Sequence, residues 1–268
     1  MAGIFINQYY LGSMTDTATA KNWWDKPALI GELVTLGHDL YKAGTDKHII
    51  GIGQSPYYPM FAANCFAIAE DKTFSHAHLP MTGHITAKYD SDDIVPRNFF
   101  PIVGMEQMPV RRMSENIGAL CKQSLETGKT PVFFDLMMGG NSFASVLAML
   151  AEYDIGHKSD MKGSASFLCM RDPDSIPYDS LDIQIQDREL SGIFSKNIDT
   201  IATLSKDLSV EIGQFGLTDN EFPGERLVPK ALRRSWGIDK PLLPETPTSA
   251  AIKHAIICTV ADRYHPGF

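Results

Sequence analysis

Residues 132–143 read VFFDLMMGGNSF, and this stretch decides the fold. It opens with apolar residues of high strand propensity and places a carboxylate, Asp135, directly after them. Two adjacent glycines follow, at which the backbone can turn freely, and the sequence from Phe143 to Tyr153 is rich in Ala, Leu and Met, as in a buried helix. The stretch therefore predicts a strand, a glycine loop and a helix in immediate succession.

The glycine loop of this stretch is a candidate phosphate site. Successive backbone N–H groups at the start of a helix point toward an anion, and the helix dipole favours negative charge there. The predicted contacts are Gly139, Gly140, Asn141 and Ser142, with Asp135 at the base of the loop. The pattern also describes an ordinary strand-to-helix turn with Ser142 as its N-cap, and the spacing alone leaves both interpretations open.

A second loop of the same kind lies upstream. Residues 48–52, HIIGI, predict a short buried strand, and residues 53–56, GQSP, supply turn chemistry. Apolar side chains over 58–69 then recur at helical spacing and predict a helix. The candidate ligand contacts in this loop are Gly53, Gln54 and Ser55.

The rest of the chain repeats this succession of strand and helix. Further elements are predicted as helices over 27–42, 111–127, 193–208 and 247–260, and as strands over 80–87, 164–170 and 183–185. Strands that alternate with helices predict an α/β fold with a mainly parallel central sheet flanked by helices. The strand over 132–134 is expected in the interior of that sheet, because it is apolar on both faces.

The chain is predicted to form a single domain over 1–268. Its core spans 25–195, the polar, proline-containing stretch 88–109 is predicted to be a flap inserted into the core, and 196–268 is predicted to be a C-terminal extension with extra helices. In α/β sheets, ligands gather at the carboxyl ends of the strands, near the point where the strand order reverses. Both glycine loops follow predicted strands, so both are expected at that edge.

The segment 132–143 resembles the phosphoribosyl-diphosphate motif of the type I phosphoribosyltransferases, in which an apolar strand ends in two acidic residues and a Thr-Gly-x-Thr or Ser sequence follows. In this alignment Asp135 takes the second acidic position, Gly140 the glycine and Ser142 the final hydroxyl. Phe134 stands where the first acid belongs, Met138 where a further acid is frequent, and Gly139 replaces the threonine. The order of elements over 27–195 is also similar to that family.

The resemblance implies a phosphoribosyltransferase-like fold that binds phosphoribosyl diphosphate or a nucleotide. It implies that Asp135 is catalytic, holding the ribose hydroxyls during transfer of ribose 5-phosphate to or from a base. It also implies Mg²⁺ as the companion of the diphosphate, although Phe134 and Met138 cannot supply its oxygen ligands. Arg111 and Arg112, at the start of a predicted helix, are candidate phosphate contacts, and a solvated helix face is their alternative role.

Other functions remain open on the sequence alone. A non-catalytic relative would bind a nucleotide or phosphoribosyl ligand for regulation, and the missing acids favour this alternative. Another α/β enzyme, such as a methyltransferase, could also place an acid after a strand, although the alternating glycines of a cofactor loop are missing here. A sugar-phosphate isomerase-like domain is a further alternative, based on Gly53, Gln54 and Ser55.

Composition narrows the classes of partner. The 268-residue chain is 44% hydrophobic and 21% charged, which is typical of a globular protein, and its formal net charge is -8. That charge argues against a nucleic-acid-coating protein, and the lack of an apolar run of about 18 residues argues against a membrane span. The expected partner is a small phosphorylated ligand, and a homodimer is compatible with the sequence.

Cysteines and histidines complete the candidates. The four cysteines lie in apolar surroundings and are interpreted as buried free thiols, which favours a reducing, cytoplasmic location. His76 and His78 alternate and would share a face on a strand, where two imidazoles could bind a metal. A third ligand is not evident in the sequence, so an exposed polar strand edge is the favoured interpretation and no metal site is assigned.

Overall fold

The computed structural model describes residues 27–53, 55–79, 107–136, 141–172, 190–195 and 247–264. Within these ranges the helices are α1 (Pro27–Ala43), α2 (Tyr57–Ala69), α3 (Gln107–Glu126), α4 (Asn141–His157), α5 (Met161–Ser164) and α6 (Pro247–Tyr264). The strands are β1 (Lys47–Ile52), β2 (His76–Leu79), β3 (Thr130–Leu136), β4 (Ser166–Arg171) and β5 (Leu190–Phe194). The predicted alternation of strand and helix is therefore confirmed in the described part of the chain.

The five strands form one sheet in the order β2-β1-β3-β4-β5, and every neighbouring pair is parallel. The central pair, β1 and β3, is in register from Lys47 opposite Thr130 to Gly51 opposite Phe134. This confirms a parallel α/β sheet with 132–134 in an interior strand. The order reverses between β1 and β3, because the chain leaves β1 toward β2 on one side and returns to β3 on the other.

Side chains of β3 alternate between the two faces of the sheet and explain the two helical layers. Val132 and Phe134 belong to a core cluster shared with α1, α2 and α6. Phe133 stacks on Phe167 of β4, with ring centroids 5.9 Å apart, and Phe167 in turn meets Phe143 of α4 at 5.1 Å. Helices therefore cover both faces, which is why the strand sequence is apolar at successive positions rather than alternating.

Helix α6 runs alongside α2 in the same direction. Lys253, near the start of α6, lies over the rings of Tyr57 and Phe61, at 5.2 and 5.5 Å from their centroids. Tyr264, at the other end of α6, donates its hydroxyl to Glu70, which follows the last turn of α2, at 2.6 Å. The beginning of α6 therefore lies at the carboxyl edge of the sheet, where α2 begins.

Several predicted elements need correction. The helix predicted from Ile193 is wrong at its start, because Ile193 and Phe194 belong to β5, and its remainder lies outside the described residues. Strand β5 takes its conformation from pairing with β4, which sequence periodicity does not detect. Helix α3 begins at Gln107, so the last residues of the predicted flap 88–109 are helical.

The other differences concern boundaries and coverage. Ser164, predicted to open a strand, ends α5 instead, and β4 begins at Ser166. The strands predicted over 80–87 and 183–185, and residues 88–106 of the flap, lie outside the described residues. None of the helices that the structure describes is both long and apolar enough to cross a bilayer.

Candidate functional site

The two glycine loops begin side by side at the carboxyl edge of the sheet. The last residues paired between β1 and β3 are Gly51 and Phe134, so the first loop leaves β1 next to the point where Asp135 ends the apolar part of β3. Helix α2 starts at Tyr57, two residues after Ser55, and α4 starts at Asn141. Two strand-to-helix turns thus flank the point where the strand order reverses, as the sequence predicted.

Asp135 is buried at the base of the second loop, with 7% of its surface exposed. One carboxylate oxygen accepts a hydrogen bond from the N–H of Leu136 at 2.7 Å, and the hydroxyl of Ser142 also donates to this carboxyl group. Burial raises the pKa of Asp135 to about 7, and these two hydrogen bonds oppose the rise. The carboxyl group therefore ties the strand end to the first turn of α4.

Ser142 does not have the N-cap position that the simple-turn interpretation gave it. Helix α4 begins one residue earlier, at Asn141, and the Ser142 side chain is half-buried. Its hydroxyl group donates to Asp135 across the loop, as a hydrogen bond between the two residues. This hydrogen bond thus brings the two predicted site residues together.

The geometry at Asp135 does not fit a Mg²⁺ ligand. The carboxyl group is buried, already accepts two hydrogen bonds and holds its proton up to a pH of about 7, whereas Mg²⁺ requires an ionised, accessible oxygen. Phe134, the neighbour on β3, is fully buried and apolar. Across the described ranges, no three His, Cys, Asp or Glu side chains come close enough together to hold a metal ion.

The first loop is held by β2 rather than left open. Gly53 has a positive φ of 69°, a conformation that glycine adopts without strain. Its N–H donates to the carbonyl of Leu79 at 2.9 Å, and its carbonyl contacts Nε2 of His78 at hydrogen-bond range. Both backbone groups of Gly53 are therefore engaged by β2. Of the predicted contacts in this loop, Ser55 is half-buried and lies two residues before the first residue of α2.

His78 corrects the interpretation of the histidine pair. The exposed polar edge is wrong for this residue, because His78 is only 3% exposed and faces the Gly53 carbonyl. Burial lowers its pKa to about 4, so the ring is neutral at physiological pH, and the contact with a carbonyl assigns the proton to Nε2. His76, two residues earlier, is half-buried and contacts the carbonyl of Phe74 through Nδ1 at 2.9 Å.

Two side chains near this edge were missed by the sequence analysis. Lys253 is 8% exposed and brings a positive charge to the first turn of α2. Tyr57, the first residue of α2, contacts Lys253 and also His78, with its ring centroid 6.4 Å from that of His78. Neither Lys253 nor Tyr57 belongs to a motif. Because they are far apart in the sequence, their proximity could not be predicted from it. Only pairing of the strands and packing of α6 could reveal it.

Other predicted site residues are placed only in part. The backbones of Arg111 and Arg112 lie in the second turn of α3 and Asn141 is the first residue of α4, but their side chains lie outside the described part of the structure. Residues Gln54, Gly139 and Gly140 lie outside the described ranges. Comparison with protein-family models, with curated proteins and with solved structures yields no match.

Proposed function

We propose that this protein binds the phosphate group of a small phosphorylated ligand, a nucleotide or a sugar phosphate, at the carboxyl edge of its sheet. The observation that carries the proposal is the meeting of two strand-to-helix turns on adjacent central strands, β1 and β3, where the strand order reverses. Ligands of open α/β sheets bind in the crevice at this position. Two helices of 13 and 17 residues, α2 and α4, begin there, and helix N-termini favour anions.

The environment of Asp135 favours binding over ribose transfer. A carboxyl group that holds ribose hydroxyls, or a cation beside a diphosphate, acts best when ionised and open to the ligand. Asp135 is buried, bonded to Leu136 and Ser142, and keeps its proton up to a pH of about 7. Its contacts suit a residue that shapes the phosphate loop. Non-catalytic binding is therefore the proposal, and transfer of ribose 5-phosphate is its catalytic alternative.

Titration calorimetry with a panel of defined ligands tests the proposal. The panel consists of phosphoribosyl diphosphate, ribose 5-phosphate, AMP and S-adenosylmethionine, each with and without Mg²⁺, and of free ribose as the unphosphorylated control. We expect heat of binding with at least one phosphorylated compound and none with ribose. Binding of S-adenosylmethionine alone would instead support the methyltransferase alternative, and a panel without any binding would contradict the proposal.

A matched pair of glycine variants locates the site. Gly140→Val should weaken binding of the phosphorylated compound by about tenfold or more, because a branched side chain in the loop would occupy the place of the anion. Gly156→Ala is the control, since Gly156 lies near the end of α4 with open space around a Cβ atom. An unchanged Kd in folded Gly140→Val would reject the second loop as the phosphate site.

A further inference from the structure

Gly53, the first residue of the first loop, contacts a side chain outside the loop. Gly53 occupies a left-handed turn, with φ of 69°, between β1 and α2. Its N–H is engaged by the Leu79 carbonyl, which extends the pairing of β1 with β2. Its carbonyl contacts Nε2 of His78, so it faces β2.

We propose that His78 is a positioning residue for the phosphate site, which sets the conformation of the β1 loop by holding the Gly53 carbonyl away from the ligand. This inference rests on the proposed function. A carbonyl oxygen pointing into an anion site would repel the phosphate, whereas a carbonyl bonded to His78 leaves the edge to donors. Gly53 uses both its backbone groups on β2, so Ser55 is the candidate donor among the other described residues of this loop.

The neighbours of His78 fix the position of its ring beside the first loop. It sits opposite Gly51 in the sheet register, and the absence of a side chain at Gly51 leaves room for Met60 and Pro56 of the α2 start. The His78 ring also meets Tyr57, the first residue of α2, with centroids 6.4 Å apart. The same imidazole therefore contacts both ends of the loop, Gly53 at its beginning and Tyr57 at its end.

The protonation of His78 suits a fixed donor. Burial lowers the pKa of the ring to about 4, with a smaller contribution from His76, while the bond to Gly53 opposes that shift. A neutral ring with its proton on Nε2 donates to the carbonyl across the whole physiological pH range. The arrangement therefore predicts a constant loop geometry rather than a pH-dependent one.

Substitutions at His78, with ribose 5-phosphate and inorganic phosphate as probes, test the inference by calorimetry. His78→Met keeps a side chain of similar length without a donor, and we expect about a tenfold increase in Kd. His78→Gln restores an N–H donor, and we expect its Kd to return to within about threefold of the wild-type value. A purely structural role would weaken stability in both variants without this recovery of affinity.

His76→Gln is the matched control, because His76 lies two residues away on the same strand and bonds to the Phe74 carbonyl instead of the loop. Its Kd should equal that of the wild type. Folded His78→Met with a wild-type Kd would overturn the inference while leaving the proposed function intact. Failure of the wild-type protein to bind these probes or any other phosphorylated compound of the panel would instead contradict the proposed function itself.

If the variants do not fold, nuclear magnetic resonance of the wild-type protein tests the inferred role of His78. The ¹⁵N shifts of His78 should report a neutral ring protonated at Nε2 at pH values near 7. Saturating inorganic phosphate should shift the His78 Nε2–H and Gly53 resonances, and leave those of His76 unchanged. A titrating His78 near its ordinary pKa, or a His78 signal unaffected by bound phosphate, would overturn the inference.

Discussion

Asp135 shows how a single residue can have a different role from the one its motif implies. Its place at the end of an apolar strand was predicted from the sequence, and the structure puts it there. Its bond to Ser142 was not predicted, because that bond depends on how the intervening loop returns to the sheet. The carboxyl group consequently faces its own loop.

The raised pKa of Asp135 predicts that this carboxyl group contributes less to stability as the pH rises. Burial moves this pKa from 3.8 to about 7, so between these values the folded protein binds more protons at Asp135 than the unfolded chain does. The contribution of Asp135 to the free energy of unfolding therefore falls with increasing pH. From about pH 5.5 to about pH 8.5 the contribution lost is on the order of 2 kcal/mol.

Denaturant unfolding of the wild type and of Asp135→Asn at both pH values measures this contribution. The variant keeps the shape of the side chain without its titration, so its stability should decline less over the same pH interval. Equal declines in the two proteins would show that Asp135 titrates at its ordinary pKa.

The catalytic alternative makes a separate prediction for the same residue. If the protein transfers ribose 5-phosphate, Asp135→Asn should lower the rate by on the order of 10²-fold, as for the loss of one charged transition-state contact. The measurement is release of diphosphate from phosphoribosyl diphosphate with a panel of bases. Bound donor without turnover, in wild type and variant alike, would leave the binding function and exclude the transferase.

At the scale of elements, close contact between α1 and α2 depends on the absence of one side chain. A Cβ atom at Gly37 would collide with the Cβ of Ala62 and approach the Ala63 backbone nitrogen at 3.0 Å. The same helix contains Gly31, where a Cβ atom would meet nothing within 4 Å. One helix thus provides both a packed and an open glycine.

This pair predicts opposite effects of the same substitution. Gly37→Ala should destabilise the protein by about 1–3 kcal/mol through overpacking, despite the better helix propensity of alanine. Gly31→Ala should stabilise it by about 0.5–1 kcal/mol, because only the propensity changes. Denaturant midpoints measure both, and a stabilised Gly37→Ala would contradict the close contact between the helices.

The elements also mark what the sequence could predict. Helix α1 and strands β1 and β3 were predicted correctly because their apolar patterns are long or are bounded by glycine. The β5 residues Ile193 and Phe194 were assigned to a helix, since their apolar pattern is short and only β4 settles their conformation. The burial of His78 and its contact with Gly53 were not predicted for the same reason, because Gly53 is 25 residues away along the chain.

At the scale of the whole molecule, the four cysteines differ in how far they are exposed to solvent. Cys121 and Cys169 are buried, Cys65 is half-buried, and Cys258 is exposed, so the prediction of four buried thiols is wrong for Cys258. All four carry thiols and none is in a disulfide, in agreement with the sequence analysis. Position 258 lies on the outer side of α6, which the apolar neighbours of this residue in the sequence did not indicate.

Thiol labelling at neutral pH should follow this order. Cys258 should react first in the folded protein, because it is accessible. Burial raises the pKa of Cys65 and of Cys121 to about 12, so both lack the reactive thiolate and should react only as the protein unfolds. Mass spectrometry of labelled peptides over time gives the order, and early labelling of Cys121 would contradict the fold.

Helix α6 has a consequence for how the protein is made. Helix α6 packs against α1 and α2, and its residues Ile252, Ile256 and Val260 belong to the same core cluster as those two helices. The ribosome synthesises these residues some 200 positions after α1 and α2, at 247–264 against 27–69. During synthesis, the surface of α1 and α2 that α6 covers stays exposed until α6 has been made. Packing of this part of the core is therefore a late event, which favours protection by chaperones.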